Sequence, residues 1–150
     1  MGEDKILMPT YTQATNAVFT AFKSGMDTNR PNVVIAWPNL DFDPQTSFVA
    51  STHEAWARVT MRTIDAGQIT LGDAGARRFR YSAALQVEIY TPLGNGQSTA
   101  LAIADDIVSI LRGITTQGVR IKVPEIIAEG RDDPFYHVNV ITPIEYDDIG

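Results

Sequence analysis

The sequence predicts an α+β fold: a mainly antiparallel or mixed sheet of four to five strands, with two helices packed on one face, in the order α-β-β-β-α-β-β. Three observations predict it. From Arg77 to Tyr90 the odd positions (Phe79, Tyr81, Ala83, Leu85, Val87, Ile89) are apolar and the even ones (Arg78, Arg80, Ser82, Ala84, Gln86, Glu88) are polar or small. That period of two marks a long strand with one buried and one wet face. Two stretches, after Thr10 and after Gln97, carry apolar residues at helical spacing. Between two alternating runs lies a segment with Gly67, Gly72 and Gly75, longer than a two-residue hairpin needs, which reads as a long β-hairpin flap.

The elements follow in chain order. Residues 1–8 read as a tail. Thr10-Tyr11-Thr12-Gln13 has the spacing of a capping box. Tyr11, Ala14, Val18, Ala21 and Phe22 then form a helical stripe, and Gly25 is the expected stop because glycine takes the left-handed C′ conformation without strain. Met26 to Pro31 is expected as a polar connection. Val33-Val34-Ile35 centres a short strand within Asn32–Trp37 that Pro38 ends, since proline cannot donate to the ladder. Leu40 to His53 is turn-rich, with Asp41, Asp43, Pro44 and Ser47, and Phe42 and Phe48 are its expected anchors.

Ala55 to Ile64 alternates, with Ala57, Val59 and Met61 on one face and Trp56, Arg58, Thr60 and Arg62 on the other. The flap spans Ile64 to Ala76 and carries Ile69 and Leu71, which only a partner or a fold back onto the body could bury. After the long strand, Thr91 to Gly96 breaks the pattern. A helix over about residues 97–112 follows, with Leu101, Ala104, Ile107, Val108 and Leu111 as its stripe and Asp105, Asp106 and Ser109 facing water. Arg112 suits the negative end of its dipole and Gly113 its C′ position. Val119 to Val123 is a short strand ended by Pro124, Gly130 to Pro134 is a turn, and Tyr136, Val138, Val140, Ile144 and Tyr146 share one face of a last strand before an acidic tail at 147–150. The whole reads as a single domain, 1–150, with flexible ends.

Bulk properties narrow the function classes. The chain has 150 residues, 44% of them hydrophobic, enough for a core without covalent staples. It has no cysteine, which removes disulfides, thiolate metal sites and thiol nucleophiles. Its net charge of −6 argues against tight nucleic-acid binding, which draws on Lys and Arg neutralising phosphate. No apolar run approaches the ~20 residues of a membrane helix. The start lacks the basic and apolar regions of a signal peptide, and Ile6 stands where a myristoylation motif has Ser or Thr.

No catalytic set converges. Gly94-Asn95-Gly96 before a helix suggests a phosphate cradle, and a small nucleotide-binding or hydrolytic enzyme is the reading it would support. The Gly-Lys-Ser/Thr of a P-loop is missing, however, and a lone Gly-x-Gly reads as a turn and helix start. His53 and His137, the only histidines, lack the partners of a metal site or nucleophile–base pair and read as structural. Asp105-Asp106, Asp132-Asp133 and Asp147-Asp148 match no calcium loop and read as solvated. They leave open a weak Mg²⁺ dependence of assembly, through a site between subunits. Arg77-Arg78-Phe79-Arg80 is either a solvated strand end or a contact to an acidic neighbouring subunit. Trp37 and Trp56 read as internal packing in preference to partner anchors.

Several pieces in order carry a resemblance: Ala36-Trp37-Pro38-Asn39 followed by Phe42; Ile69-Thr70-Leu71-Gly72; Arg77-Arg78-Phe79-Arg80-Tyr81; Val87-Glu88-Ile89-Tyr90-Thr91-Pro92-Leu93-Gly94; and Ala102-Ile103-Ala104-Asp105. Over about residues 10–146 the chain resembles the tail terminator, or tail completion, proteins of long-tailed bacteriophages. The resemblance implies a non-enzymatic virion protein with no cofactor. It implies a six-membered ring on the head-proximal end of the tail tube, between the tail tube protein and the head–tail connector, with DNA passing through unbound. Another neck component is the nearest alternative, and an adaptor that never oligomerises a further one. The expected contact residues are Ile69, Leu71, Arg77, Arg78 and Arg80 in and after the flap, with Asp105 and Asp106 on the second helix.

Overall fold

The computed structural model describes residues 8–40, 42, 48, 53–94, 97–132 and 134–150. The calls that fall on residues 1–7, on Asp41, Asp43, Pro44 and Ser47, on Asn95-Gly96 and on Asp133 lie outside them. Two helices, α1 (Tyr11–Asn29) and α2 (Ser98–Leu111), pack on one face of a mostly antiparallel sheet. Its strands are β1 (Val33–Ala36), β2 (Ala55–Gln68), β3 (Arg78–Pro92), β4 (Thr115–Thr116), β5 (Val119–Ile121), β6 (Glu125–Asp132) and β7 (Phe135–Ile149). The spatial order is β1-β2-β3-β7-β5-β4, with β6 also on β7. Among the described residues only β1 runs parallel to its neighbour.

The sheet's centre is β3 against β7, in unbroken register from Arg78↔Ile149 to Pro92↔Phe135. The odd face of β3 and the even face of β7 turn toward the helices, where Leu85, Val87, Ile89, Val138, Val140, Ile144 and Tyr146 meet Phe22, Met26, Ile103, Ile107 and Leu111. The strict alternation of β3 is thus the signature of one core face. On the opposite face Trp56, Tyr90 and His137, neighbours across three strands, stack at 4.1 and 4.5 Å. Phe42, Phe48 and Phe135 pack over them as a second cluster. Phe42 and Phe48 therefore anchor their loop, and both tryptophans pack internally, Trp37 against Phe19 and Phe22.

The capping box is present: Thr10 accepts from the Gln13 N–H, and the Gln13 side chain accepts from the Thr10 N–H. α1 does not stop at Gly25. It continues to Asn29, so Met26 is a core residue where a polar connection was expected. Gly25 sits inside the helix because a Cβ there would collide with Ile110 of α2, and its missing side chain is what lets the helices approach. In α2 the buried stripe is Ala100, Ile103, Ala104, Ile107 and Leu111, with Leu101 and Val108 flanking it half-buried. Gly113, at φ 72°, takes the predicted C′ position.

Among the described residues the sheet holds seven strands, more than the four to five expected. β4 is only two residues long and carries no period. β6 escapes a period-two reading because its register shifts between Ala128 and Gly130, a bulge that breaks the alternation. Residues 147–149, expected as part of a flexible acidic tail, continue β7. Arg77 and Gly150 exchange two backbone hydrogen bonds at 3.0 and 3.2 Å, which ties this end of the chain to β3.

Candidate assembly surface

The flap is the far half of the β2–β3 hairpin. From Arg62 to Ala76 every residue is exposed. Within β2 a bulge at Ile64 shifts the pairing from Thr63↔Ala83 to Asp65↔Ser82. One extra residue moves each later side chain to the other face. Beyond the bulge, Gly67 stands opposite Arg80, and Arg80 opposite Asp147. Two residue pairs further, the Ile69 N–H donates to the Arg78 carbonyl at 2.8 Å, while Arg78 pairs with Ile149. The Arg78 N–H donates to the Thr70 hydroxyl at 2.7 Å, and the Ala76 N–H to the Asp73 carbonyl at 3.0 Å. Gly75 turns the loop at φ 89°, a conformation that L side chains resist.

The result is a built protrusion with apolar side chains in water. Leu71 is 96% exposed, and Ile64, Ile149 and Ile69 are between 43% and 64% exposed. Ile69 and Ile149 bracket Arg78 in one cross-strand row. An exposed apolar patch on an ordered hairpin is the kind of surface that marks a protein contact. Of the predicted contact residues, Ile69, Leu71, Arg77 and Arg78 gather here. The Arg77 guanidinium lies 5.5 Å over the Phe79 ring and donates to the Gly150 carbonyl at 3.4 Å.

Arg80 has a different partner. It donates two hydrogen bonds to Asp147, at 2.9 and 3.2 Å. Arg120 donates to Glu145 at 2.7 and 3.1 Å and reaches Asp147 at 3.4 Å, and Lys122 reaches Glu145 at 3.4 Å. Together they form a charge ladder across β3, β7 and β5. The hydrogen bonds from Arg80 hold the Asp147 carboxyl below its ordinary range, against a desolvation that opposes them. Those from Arg120 do the same for Glu145. Arg80 thus braces the base of the hairpin internally.

Asp105 and Asp106 are not brought to this surface. Asp106 pairs with Arg30, which also donates to Glu54 at 2.8 Å. Glu54 precedes β2 and the hairpin end follows it, so about 40 Å of extended strand separates the two places. Asp105 is exposed on α2. Among the described residues no three His, Cys, Asp or Glu side chains gather as a metal site. His137 is a member of the aromatic stack, and the His53 ring lies 6.2 Å from Phe48. Sequence reasoning missed Ile64, Ile149 and the ladder. Ile149 was hidden in an apparently acidic tail, and the ladder's partners are 23 or more residues apart in the chain.

A family model described as phage tail terminator protein matches residues 15–145. A solved structure superposes with a TM-score of 0.62 over 88% of this chain and 94% of that chain, at 18% identity, and carries the same fold. No curated protein matches the sequence. Among the described residues no helix is long and apolar enough to cross a membrane.

Proposed function

The chain belongs to the phage tail terminator family, and from that premise we propose that it caps the head-proximal end of the tail tube as a ring, stops tube polymerisation and presents a surface to the head–tail connector. The family supports a structural, assembly role in the virion tail. The observation that carries the proposal is the match over residues 15–145, which takes in α1 from Thr15 on, the whole hairpin and α2.

The ring we propose is a homo-hexamer. Its subunits meet through a heterologous contact, the geometry that closes a ring by rotation. The hairpin end supports this reading, because Ile69, Leu71 and Ile149 stay exposed in the single chain. Arg77 and Arg78 add charge at the same end, which would fix register against an acidic neighbour. Weak Mg²⁺ dependence of assembly belongs to the same proposal, with acidic side chains of two subunits sharing the ion. DNA passes such a ring without specific binding, and the net charge of −6 per chain suits passage past an acidic wall.

The test is native mass by mass photometry over a concentration series, with and without Mg²⁺ and with purified tail tubes. A species of six 16.4 kDa chains, or capping of tube ends, is the expected result. A chain that stays monomeric and leaves tube length unchanged would sink the proposal. Arg78→Glu with Leu71→Asp is the informative variant, because both residues lie at the hairpin end and outside the charge ladder. Arg80→Glu is not, since it would unfold the ladder.

A further inference from the structure

The charge ladder sits where the sheet runs out of core. Full burial in β3 begins at Ala83, and Arg78 to Ser82 are only half-buried. Beyond Met61 β2 is exposed throughout. β5 pairs with β7 at residues 144–146 only, so among the described residues 147–149 have β3 as their one neighbouring strand. Residues 62–68, 78–82 and 147–149 thus form a three-stranded arm. Two side-chain contacts flank its base. On one face Tyr81 stacks on Tyr146 at 5.2 Å, and on the other lies the ladder. A segment with few buried apolar contacts is where a fold opens locally before it unfolds as a whole.

In the ladder, Asp147 and Glu145 on β7 face Arg80 from β3 and, from the other side, Arg120 on β5 and Lys122 just after it. β2 places the uncharged Gly67 opposite Arg80 and Asp65 opposite Ser82. Asp148 accepts from the Ile149 N–H at 2.8 Å. With both ladder carboxylates ionised, three cations meet two anions. With both protonated, the same cations lie across adjacent strands without a counter-charge in the ladder, and like charges across strands repel. We propose that the ladder is an acid-released latch: when Asp147 and Glu145 take up protons, the arm opens while the helices and the centre of the sheet stay folded. Hydrogen bonds from Arg80 hold the Asp147 carboxyl below its ordinary range, and those from Arg120 do so for Glu145. The latch is therefore shut above the ordinary carboxylate value of about 4 and lost as pH falls through the lower folded-state values. Opening parts Ile149 from Ile69, but the inference concerns the single chain and does not depend on the ring reading.

Amide NMR of the full chain, titrated from about pH 6 down to about pH 2.5, tests the latch. The amides of Arg80 and Asp147 are expected to lose their sheet chemical shifts at least about half a pH unit above those of Val87 and Val140 at the sheet centre. A second measurement needs no acid. Glu145→Gln with Asp147→Asn keeps the side-chain shapes and removes both negative charges. It is expected to open the arm at neutral pH while the shifts of Val87 and Val140 stay as in the unaltered chain. Arm and centre amides that leave together on acidification overturn the proposal, and so does an arm that stays closed in the double variant. Loss of the Val87 and Val140 shifts in that variant overturns it as well, because a latch confined to the arm leaves the core standing.

Discussion

Gly25→Ala is the substitution on which helix propensity and packing disagree most clearly. In an unconstrained helix interior the change stabilises by about 0.8–1.0 kcal/mol. Here the added Cβ would overlap Cγ2 of Ile110 and lie 2.9 Å from its Cγ1 and 3.2 Å from its Cβ. Ile110 is β-branched and stiff at χ1, and its Cβ does not move with any rotamer. The strain must pass into the α1–α2 spacing, an overpacking that costs about 1–3 kcal/mol. The net expectation is a loss of about 1 kcal/mol, or about 2–4 °C in melting temperature for a chain of this size. Urea denaturation followed by circular dichroism reads it as a lower midpoint at unchanged slope. The decisive comparison is the same substitution beside Ile110→Ala, which removes both γ carbons. There Gly25→Ala should become stabilising by ~0.5–1 kcal/mol. A higher midpoint for Gly25→Ala alone, or an equal loss in both backgrounds, would refute the reasoning.

Three further outcomes are expected. Asp147 and Glu145 have carboxyl pKa values depressed by Arg80 and Arg120. Their contribution is therefore complete above the ordinary carboxylate value of about 4 and lost as pH falls through the lower folded-state value. Arg80→Ala should flatten the acid limb of a stability–pH profile below about pH 5 while leaving its alkaline side unchanged. Trp56→Ala removes the centre of the second aromatic cluster and should cost about 3–5 kcal/mol in chemical denaturation, with Trp56→Phe costing much less. Leu71→Asp, at a fully solvated position, should change monomer stability by less than about 0.5 kcal/mol and yet abolish assembly in the mass measurement.

Much of the architecture was legible because it is written in short-range pattern. The period of two in β3, the Thr10–Gln13 capping box and Gly113 at the end of α2 are each set by residues within one element, and neighbours in sequence are enough to read them. The hairpin was legible too, as two alternating runs around a glycine-rich centre, and so were the exposed Ile69 and Leu71 at its end. What failed to show was whatever depends on a partner distant in the chain. Gly25 has the chemistry of a helix stop, but Ile110 turns it into a close-approach point. β6 loses its alternation to a bulge that only pairing with β7 defines. Asp147 looks like part of a solvated tail until Arg80 lies opposite.

The same division governs the candidate surface. By itself the sequence determined the fold class, the hairpin and the exposed Ile69 and Leu71 at its end, because local periodicity and composition encode which side chains face water. Only the tertiary structure decided that Arg78 lies between Ile69 and Ile149 at that tip, that Arg80 is bound into an internal ladder, and that Asp106 pairs with Arg30 far from the hairpin. Those facts come from strand register and from helix docking, and both are set by burial summed over the whole chain, which no local window contains.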